Sequence, residues 1–155
     1  MNLSAQSNVK FIQNEIDKTL WKVFQQAFEN LDSDALNQTY ADDILRVTPN
    51  GIDTEDNFKL GNTEHFKALK AKNASIKLDF WLDDRKTNAT TSYEVGFYRI
   101  ATTINESTTY SYGQFHIVLK NMGEKWLISQ DWDTTTINGN TIGKEDFEKK
   151  EPLKF

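Results

Sequence analysis

The sequence contains no cysteine, which excludes disulfides, thiolate nucleophiles, iron–sulfur ligation and the common structural zinc sites. It also has no run of about 18 apolar residues that could cross a membrane. The first ten residues, MNLSAQSNVK, have no apolar stretch of the kind that forms the core of a signal peptide. We therefore expect a cytoplasmic protein that does not bind membranes.

Positive charge is also scarce, with 18 Lys and Arg against 23 Asp and Glu and a net charge of -5. No basic cluster is present, so a nucleic-acid partner is not expected. His65 and His116 have no second ligand at a metal-binding spacing. Phosphate loops and dinucleotide fingerprints are absent as well, and we expect neither a metal nor a cofactor.

Large aromatic residues are plentiful: 4 Trp, 5 Tyr and 10 Phe in 155 residues. This length is typical of one domain with a single core. The first half of the chain has helical periodicity. Apolar residues recur every three or four positions from Val9 to Phe28, which predicts a long amphipathic helix. Asp32 or Ser33 is the expected N-cap of a short second helix that carries Leu36 and Tyr40.

The rest of the chain is predicted to form mainly strands. Ile44 to Thr48 is rich in β-branched residues and is followed by a Pro-Asn-Gly turn. A third helix is expected after Gly61 and Asn62, in the segment TEHFKALKAK. Beyond Asn73, alternating apolar residues predict four long strands in an antiparallel meander. The fold class is therefore α+β, with helices packed on one face of a curved, mainly antiparallel sheet.

Two segments carry a resemblance to a known superfamily. They are D-x-x-A-L-x-x-x-Y-A-D-D, which ends at Asp43, and G-x-K-W-L-I, from Gly123 to Ile128. In this order and separation they resemble nuclear transport factor 2-like (NTF2-like) proteins, specifically the SnoaL-like and DUF4440-type members. The resemblance covers residues 9–137. It leaves residues 1–8 as a flexible N-terminus and 138–155 as a charged tail, either a short helix or frayed.

The resemblance implies a cone of three helices wrapped by a strongly bent sheet. It also implies a cavity at the wide end and a homodimer formed through the outer face of the sheet. Members include isomerases, cyclases, dehydratases, epoxide hydrolases, transport factors and assembly domains, so the fold does not specify one function.

Ketosteroid isomerase, on the same fold, supplies a template for catalytic residues. Its carboxylate base precedes a proline, where this sequence has Thr48. Its oxyanion-binding Tyr and Asp correspond to Phe24 and to about Phe115. The resemblance therefore argues against ketosteroid-type isomerisation. Asp42 and Asp43, at the predicted corner between helix and strand, are interpreted as solvated residues.

Asp131 is the candidate acid or base, on the last long strand. Alternation leaves two possibilities open: either Asp131 and Asp133 face the interior, or Trp126, Ile128 and Trp132 do. An inward Asp131 would have a raised pKa and would need a partner. Arg46 is that candidate, and the pair would suggest an anionic or carbonyl substrate oriented by Arg46 or Tyr40.

Aromatic side chains are the candidate walls of a cavity for a small, largely apolar ligand, although they could equally fill a closed core. The candidate ligand-binding residues are Phe24, Phe28, Tyr40, Thr48, Phe66, Phe97, Tyr112, Phe115 and Trp132. Two hypotheses follow. The protein is an isomerase, cyclase or hydrolase that uses Asp131, or it is an inert binding or dimerisation module that acts through protein partners.

Overall fold

The computed structural model describes residues 3–155. Its first helical segment consists of α1 (Leu3–Ile16), a π-helical turn (Asp17–Trp21) and α2 (Lys22–Glu29). The helix predicted over Val9–Phe28 is confirmed and begins six residues earlier. Met1 and Asn2, the start of the segment predicted to be flexible, lie outside the described residues; flexibility of residues 3–8, which are helical here, stays a prediction.

The π-helical turn is anchored to the sheet by one buried hydrogen bond. Trp21 Nε1 donates to Glu94 Oε2 at 2.7 Å, and the two residues are 2% and 0% exposed. Arg85 and Ser92 donate to the other oxygen of Glu94. Because a buried carboxylate needs such partners, this network fixes how the helical segment sits on the sheet.

Short elements follow the first helical segment. Helix α3 (Ser33–Asn37) is N-capped as predicted, since the Asp32 side chain accepts from the Ala35 amide at 3.0 Å. Strand β1 (Tyr40–Thr48) is longer than expected and includes Tyr40, which was assigned to the helix. Tyr40 is extended because β1 pairs with the last long strand from its first residue onward.

The remaining early elements are β2 (Gly51–Asp53) and α4 (Asn57–Ala71). Helix α4 begins before Gly61, earlier than predicted, because Asp53 accepts from the Phe58 amide at 2.7 Å and so caps its first turn. Asp42 and Asp43 lie within β1 instead of at a corner, and both are exposed.

Four long strands form the predicted antiparallel meander. They are β3 (Ser75–Thr87), β4 (Thr91–Ile104), β5 (Ser107–Asn121) and β6 (Trp126–Thr134). The six-stranded sheet has the order β2-β1-β6-β5-β4-β3, and only β1 and β6 are parallel. The α+β prediction, with helices on one face of a curved, mainly antiparallel sheet, is confirmed.

The tail folds back onto the outer face of the sheet. A hairpin of β7 (Thr136–Ile137) and β8 (Asn140–Thr141) leads to helix α5 (Lys144–Phe147). Phe147 is 2% exposed and packs in a cluster with Trp81 and Phe97. The outer face is therefore covered at one end by the chain itself. Within residues 3–155, no helix is long and apolar enough to span a membrane.

Candidate functional site

A β-bulge in β6 decides which side chains enter the interior. Ile128 and Gln130 pair with consecutive residues of β5, which leaves Ser129 as the extra residue. A bulge reverses the alternation of side chains beyond it. Trp126 and Ile128 therefore face the helices before the bulge, and Asp131 faces the same interior after it. One alternative from the sequence, with Trp126 and Ile128 inside, therefore holds before the bulge. The other, with Asp131 inside, holds after it.

Arg46 and Asp131 form an ion pair across the parallel strands β1 and β6. They are paired in register, and Arg46 Nη1 donates to Asp131 Oδ2. The Arg46 guanidinium also lies 5.3 Å from the ring centroid of Phe58, a distance suited to a cation–π contact. The Asp131 side chain is 8% exposed and that of Arg46 is 23% exposed, so the pair sits at the boundary of the core.

Two tyrosine hydroxyls complete this polar cluster. The Tyr40 hydroxyl lies 3.5 Å from Asp131 Oδ2. The Tyr98 hydroxyl donates to Asp133, with its oxygen 3.0 and 3.2 Å from the two carboxylate oxygens. Burial raises the pKa of both tyrosines well above the ordinary value, and the neighbouring carboxylates add to the effect. Both hydroxyls therefore stay protonated and act as hydrogen-bond donors at neutral pH.

Burial also raises the pKa of both carboxyl groups. For Asp131 the Arg46 charge opposes the increase, while the charge of Asp133 adds to it. For Asp133 the Tyr98 hydrogen bond and the charge of Arg46 oppose the increase. Burial acts most strongly on Arg46 and lowers its pKa, but Asp131 and the neighbouring Tyr40, Asp133 and Tyr98 together outweigh burial, so the pKa of Arg46 rises. The cluster thus combines a permanent cation with two carboxyl groups that hold protons more tightly than usual.

This cluster forms one wall of a cavity of about 250 Å³ between the helices and the sheet, which we call the inner cavity. That volume is slightly below the range of about 300–1,000 Å³ that holds drug-sized molecules. Outside the polar wall, the lining is almost entirely aromatic and aliphatic. It consists of Trp21, Phe24, Phe28, Leu36, Asn62, Leu78, Phe80, Ile100, Phe115 and Ile117.

Six of the residues singled out in the sequence line this cavity, namely Arg46, Asp131, Phe24, Phe28, Tyr40 and Phe115. Phe66 is buried in the adjacent core and packs edge-on against Phe28 with centroids 5.4 Å apart, so it supports the wall without lining it. Thr48 lies beside Arg46 in a shallow depression near Phe58. It is outside the cavity because β1 ends there.

Three candidate cavity residues lie instead on the outer face. Phe97 stacks on Trp81 with ring centroids 4.6 Å apart. Tyr112 packs against the same cluster, under helix α5. Trp132 is 48% exposed. The prediction placed them inside because the sequence gives the alternation of a strand but not the identity of its inward face.

Two members of the polar wall, Tyr98 and Asp133, were not among the predicted site residues, although Asp133 had been considered with Asp131 as a residue that could face the interior. Tyr98 directly follows Phe97, the β4 residue that was predicted to line the cavity, and packs on the opposite face of the sheet. One sequence signal pointed toward it, because Gly113 is its partner on β5, and a glycine inside a strand often marks a close approach. A Cβ atom at Gly113 would lie 2.3 Å from the Tyr98 hydroxyl oxygen.

A second concavity, of about 790 Å³, lies on the uncovered part of the outer face. Its lining includes two exposed aromatic residues, Trp132 and Tyr93, and also Asp133, which borders both concavities. The Tyr93 hydroxyl and His116 Nδ1 are hydrogen-bonded at 2.7 Å. We call this second concavity the outer cleft. Within residues 3–155, no group of three or more His, Asp or Glu side chains is arranged to hold a metal ion.

Comparison with solved structures identifies the fold. An NTF2-like protein of unknown function from Shewanella oneidensis is similar over 79% of this chain and 98% of its own, with a TM-score of 0.63 and 17% identity. An NTF2-like protein with a cystatin-like fold from Novosphingobium aromaticivorans matches over 90% of both chains, with a TM-score of 0.68 and 12% identity.

A third similar structure is a ketosteroid isomerase-like protein from Erwinia carotovora. It matches over 78% of this chain and 96% of its own, with a TM-score of 0.56 and 16% identity. No protein-family model and no curated protein matches the sequence. The chain has the NTF2-like fold, as the sequence resemblance implied.

Proposed function

We propose that the inner cavity binds a small, largely apolar molecule and carries out acid–base chemistry on it, as an isomerase, cyclase or hydrolase. One observation carries this proposal: Asp131, Asp133 and Arg46 meet at one wall of an otherwise apolar cavity. A carboxyl group with a raised pKa in such a place is a typical proton donor or acceptor.

The two carboxyl groups have different environments, which favours different roles. Asp131 is bonded to Arg46 and therefore retains its negative charge more readily. Asp133 accepts only from the neutral Tyr98 hydroxyl among the described residues. Because neighbouring like charges resist joint ionisation, one carboxyl group can donate a proton while the other accepts one.

The proposal differs from the ketosteroid isomerase template in the position of its groups. Thr48 stands at the template's base position and does not line the cavity. The carboxyl groups project from β6 instead. Arg46 and Tyr40, both on β1, would orient a carbonyl oxygen by donating hydrogen bonds to it.

A thermal-shift screen tests the proposal. Flat apolar carbonyl compounds, small polycyclic aromatics and small acids are applied to the wild type and to Asp131→Asn. A ligand that binds only the folded state raises the melting temperature. We expect hits whose stabilisation changes in Asp131→Asn and not in Asp42→Asn, which alters an exposed carboxylate of the same charge. An absence of hits at saturating ligand would contradict the proposal.

The outer cleft favours a second candidate function, a homodimer formed through the sheet. Trp132 is exposed in a large apolar concavity, and such patches commonly mark interaction surfaces. Sedimentation of the wild type and of Trp132→Lys tests it. A wild-type dimer that becomes monomeric on substitution supports the dimer, whereas a wild-type monomer at high concentration contradicts it.

A further inference from the structure

The charges that face the inner cavity do not balance. Among residues 3–155, its lining contains one cation, Arg46, and two carboxyl groups, Asp131 and Asp133. Arg46 bonds to Asp131. Asp133 has no Lys, Arg or His partner within 4.0 Å in the part of the chain that the structure describes, and its only hydrogen-bond donor there is Tyr98. Because the charges of Arg46 and Asp131 cancel, the charge left in the lining of the cavity is that of the Asp133 carboxylate.

The walls around this unbalanced carboxyl group are aromatic. Rings of Trp21, Phe24, Phe28, Tyr40 and Phe115 line the same cavity. Aromatic faces attract cations, most strongly where water is excluded. The site already stabilises one cation in this way, since Arg46 lies over the Phe58 ring and pairs with Asp131. A second cation in the cavity would have a carboxylate, Asp133, and the aromatic rings of the same lining as partners.

From this juxtaposition we propose that the ligand of the inner cavity is a small apolar amine. Its ammonium group pairs with the Asp133 carboxylate, and its hydrocarbon part packs against the rings. This inference rests on the proposed function, since it names the ligand class for the same cavity. The net charge of -5 supports it, because a negative protein raises the local concentration of cations.

Binding should release a proton from the protein. In the empty cavity, burial raises the pKa of Asp133, and the ammonium group then favours its ionised form. The other charged or titratable groups that line the cavity are Arg46 and Tyr40 from β1, Asp131 from β6 and Tyr98 from β4. The lining residues of helices α2, α3 and α4 are uncharged. Amine affinity should therefore rise with pH across the titration of Asp133, until the amine itself loses its proton.

Three probes that share one ring separate the ligand classes: benzylamine, benzyl alcohol and benzoate. Calorimetric titration gives their affinities. Contacts between probe protons and the rings of Phe24 and Tyr98, measured by nuclear Overhauser effects, identify the inner cavity. Contacts to Trp132 would identify the outer cleft instead. We expect benzylamine to bind in the cavity about tenfold more tightly than benzyl alcohol, because a charge-assisted hydrogen bond is about twice as strong as a neutral one.

Asp133→Asn should remove the preference for the amine while retaining binding of benzyl alcohol. Asp42→Asn is the matched control and should leave all three affinities unchanged. Equal or weaker binding of benzylamine than of benzyl alcohol or benzoate in the wild type would overturn the inference and leave the proposed cavity function standing. If none of the probes binds in the cavity, both fail. The wild-type series decides the matter even if the variant does not fold.

Discussion

Tyr98 reaches Asp133 across a strand that lies between them. Tyr98 is on β4 and Asp133 on β6, yet the hydroxyl oxygen is 3.0 Å from Asp133 Oδ1. The intervening strand β5 has Gly113 opposite Tyr98, and the absence of a side chain there lets the phenol ring lie across the sheet. A glycine outside the polar cluster thus determines the geometry of the cluster.

Gly113→Ala should therefore displace Tyr98 and weaken its bond to Asp133. The added methyl group would lie 2.3 Å from the hydroxyl oxygen, and we expect overpacking to destabilise the fold by about 1–3 kcal/mol. Urea unfolding measures the change. The control is Gly61→Ala, in helix α4, where a Cβ atom meets nothing within 4 Å. It should stabilise the protein by up to about 1 kcal/mol. Similar effects at both positions would contradict this role for Gly113.

Replacing Arg46 alone should be far more harmful than replacing the whole ion pair. Arg46→Met leaves the buried Asp131 carboxylate without its cation, which we expect to lower the free energy of unfolding by about 3–5 kcal/mol. The double variant Arg46→Met/Asp131→Leu removes both charges and should recover most of that loss. Chemical denaturation of the single and double variants measures the difference.

The control for the ion pair is Lys144→Met. Lys144 pairs with Glu148 on the surface, and its side chain is 69% exposed, so the change should stay within about 1 kcal/mol. If the double variant is as unstable as Arg46→Met, the loss comes from packing and not from an unpaired charge.

The stability of Asp133→Asn relative to the wild type should depend on pH. The folded-state pKa of Asp133 is raised above the ordinary value of 3.8, so the folded protein holds this proton more tightly than the unfolded chain. The stabilisation from the proton is complete below the unfolded pKa and is lost as pH rises through the folded pKa. Asparagine does not ionise.

Melting temperatures at several pH values test this expectation. The melting temperature of Asp133→Asn should increase relative to that of the wild type as pH rises from about 4 toward neutrality. Tyr98→Phe should raise the pKa of the Asp133 carboxyl group further, because it removes the hydrogen-bond donor that opposes the increase in pKa. A difference between Asp133→Asn and wild type that stays constant over this range would argue against a raised pKa.

Two buried tryptophans provide a matched test of the anchor at the π-helical turn. Trp21→Phe removes the donor to Glu94 Oε2, and an unsatisfied buried acceptor costs about 1–3 kcal/mol beyond the lost packing. Trp126 is also buried, but its indole nitrogen has no hydrogen-bond partner among the described residues. Trp126→Phe should therefore destabilise less in thermal unfolding. The reverse order would contradict the importance of the Trp21–Glu94 bond.

The sequence predicted the element order well because periodicity is a local property. The long helix over Val9–Phe28, the cap at Asp32 or Ser33 and the four-stranded meander all depend on neighbouring residues. The inward face of each strand is not local. Ser129 has no feature that marks it as the extra residue of a bulge, and that bulge places both Trp126 and Asp131 inside.

The candidate site was correspondingly incomplete. Arg46 and Asp131 were paired correctly as candidates because a buried acid needs a partner. Phe97 and Tyr112 were misplaced because the covering residue, Phe147, comes from a tail whose packing depends on the finished sheet. Gly113 was the available signal for Tyr98, but a glycine in a strand indicates a close approach without naming the approaching residue.

The acid–base site of the inner cavity is best tested by a pH titration of the side-chain carboxyl carbons of Asp131 and Asp133 by NMR, with and without benzylamine. Without the amine, both groups should titrate above the ordinary value of 3.8, and the amine should lower the midpoint of Asp133. Ordinary or lower midpoints that do not respond to any probe of the benzyl series would contradict an acid–base site in the inner cavity.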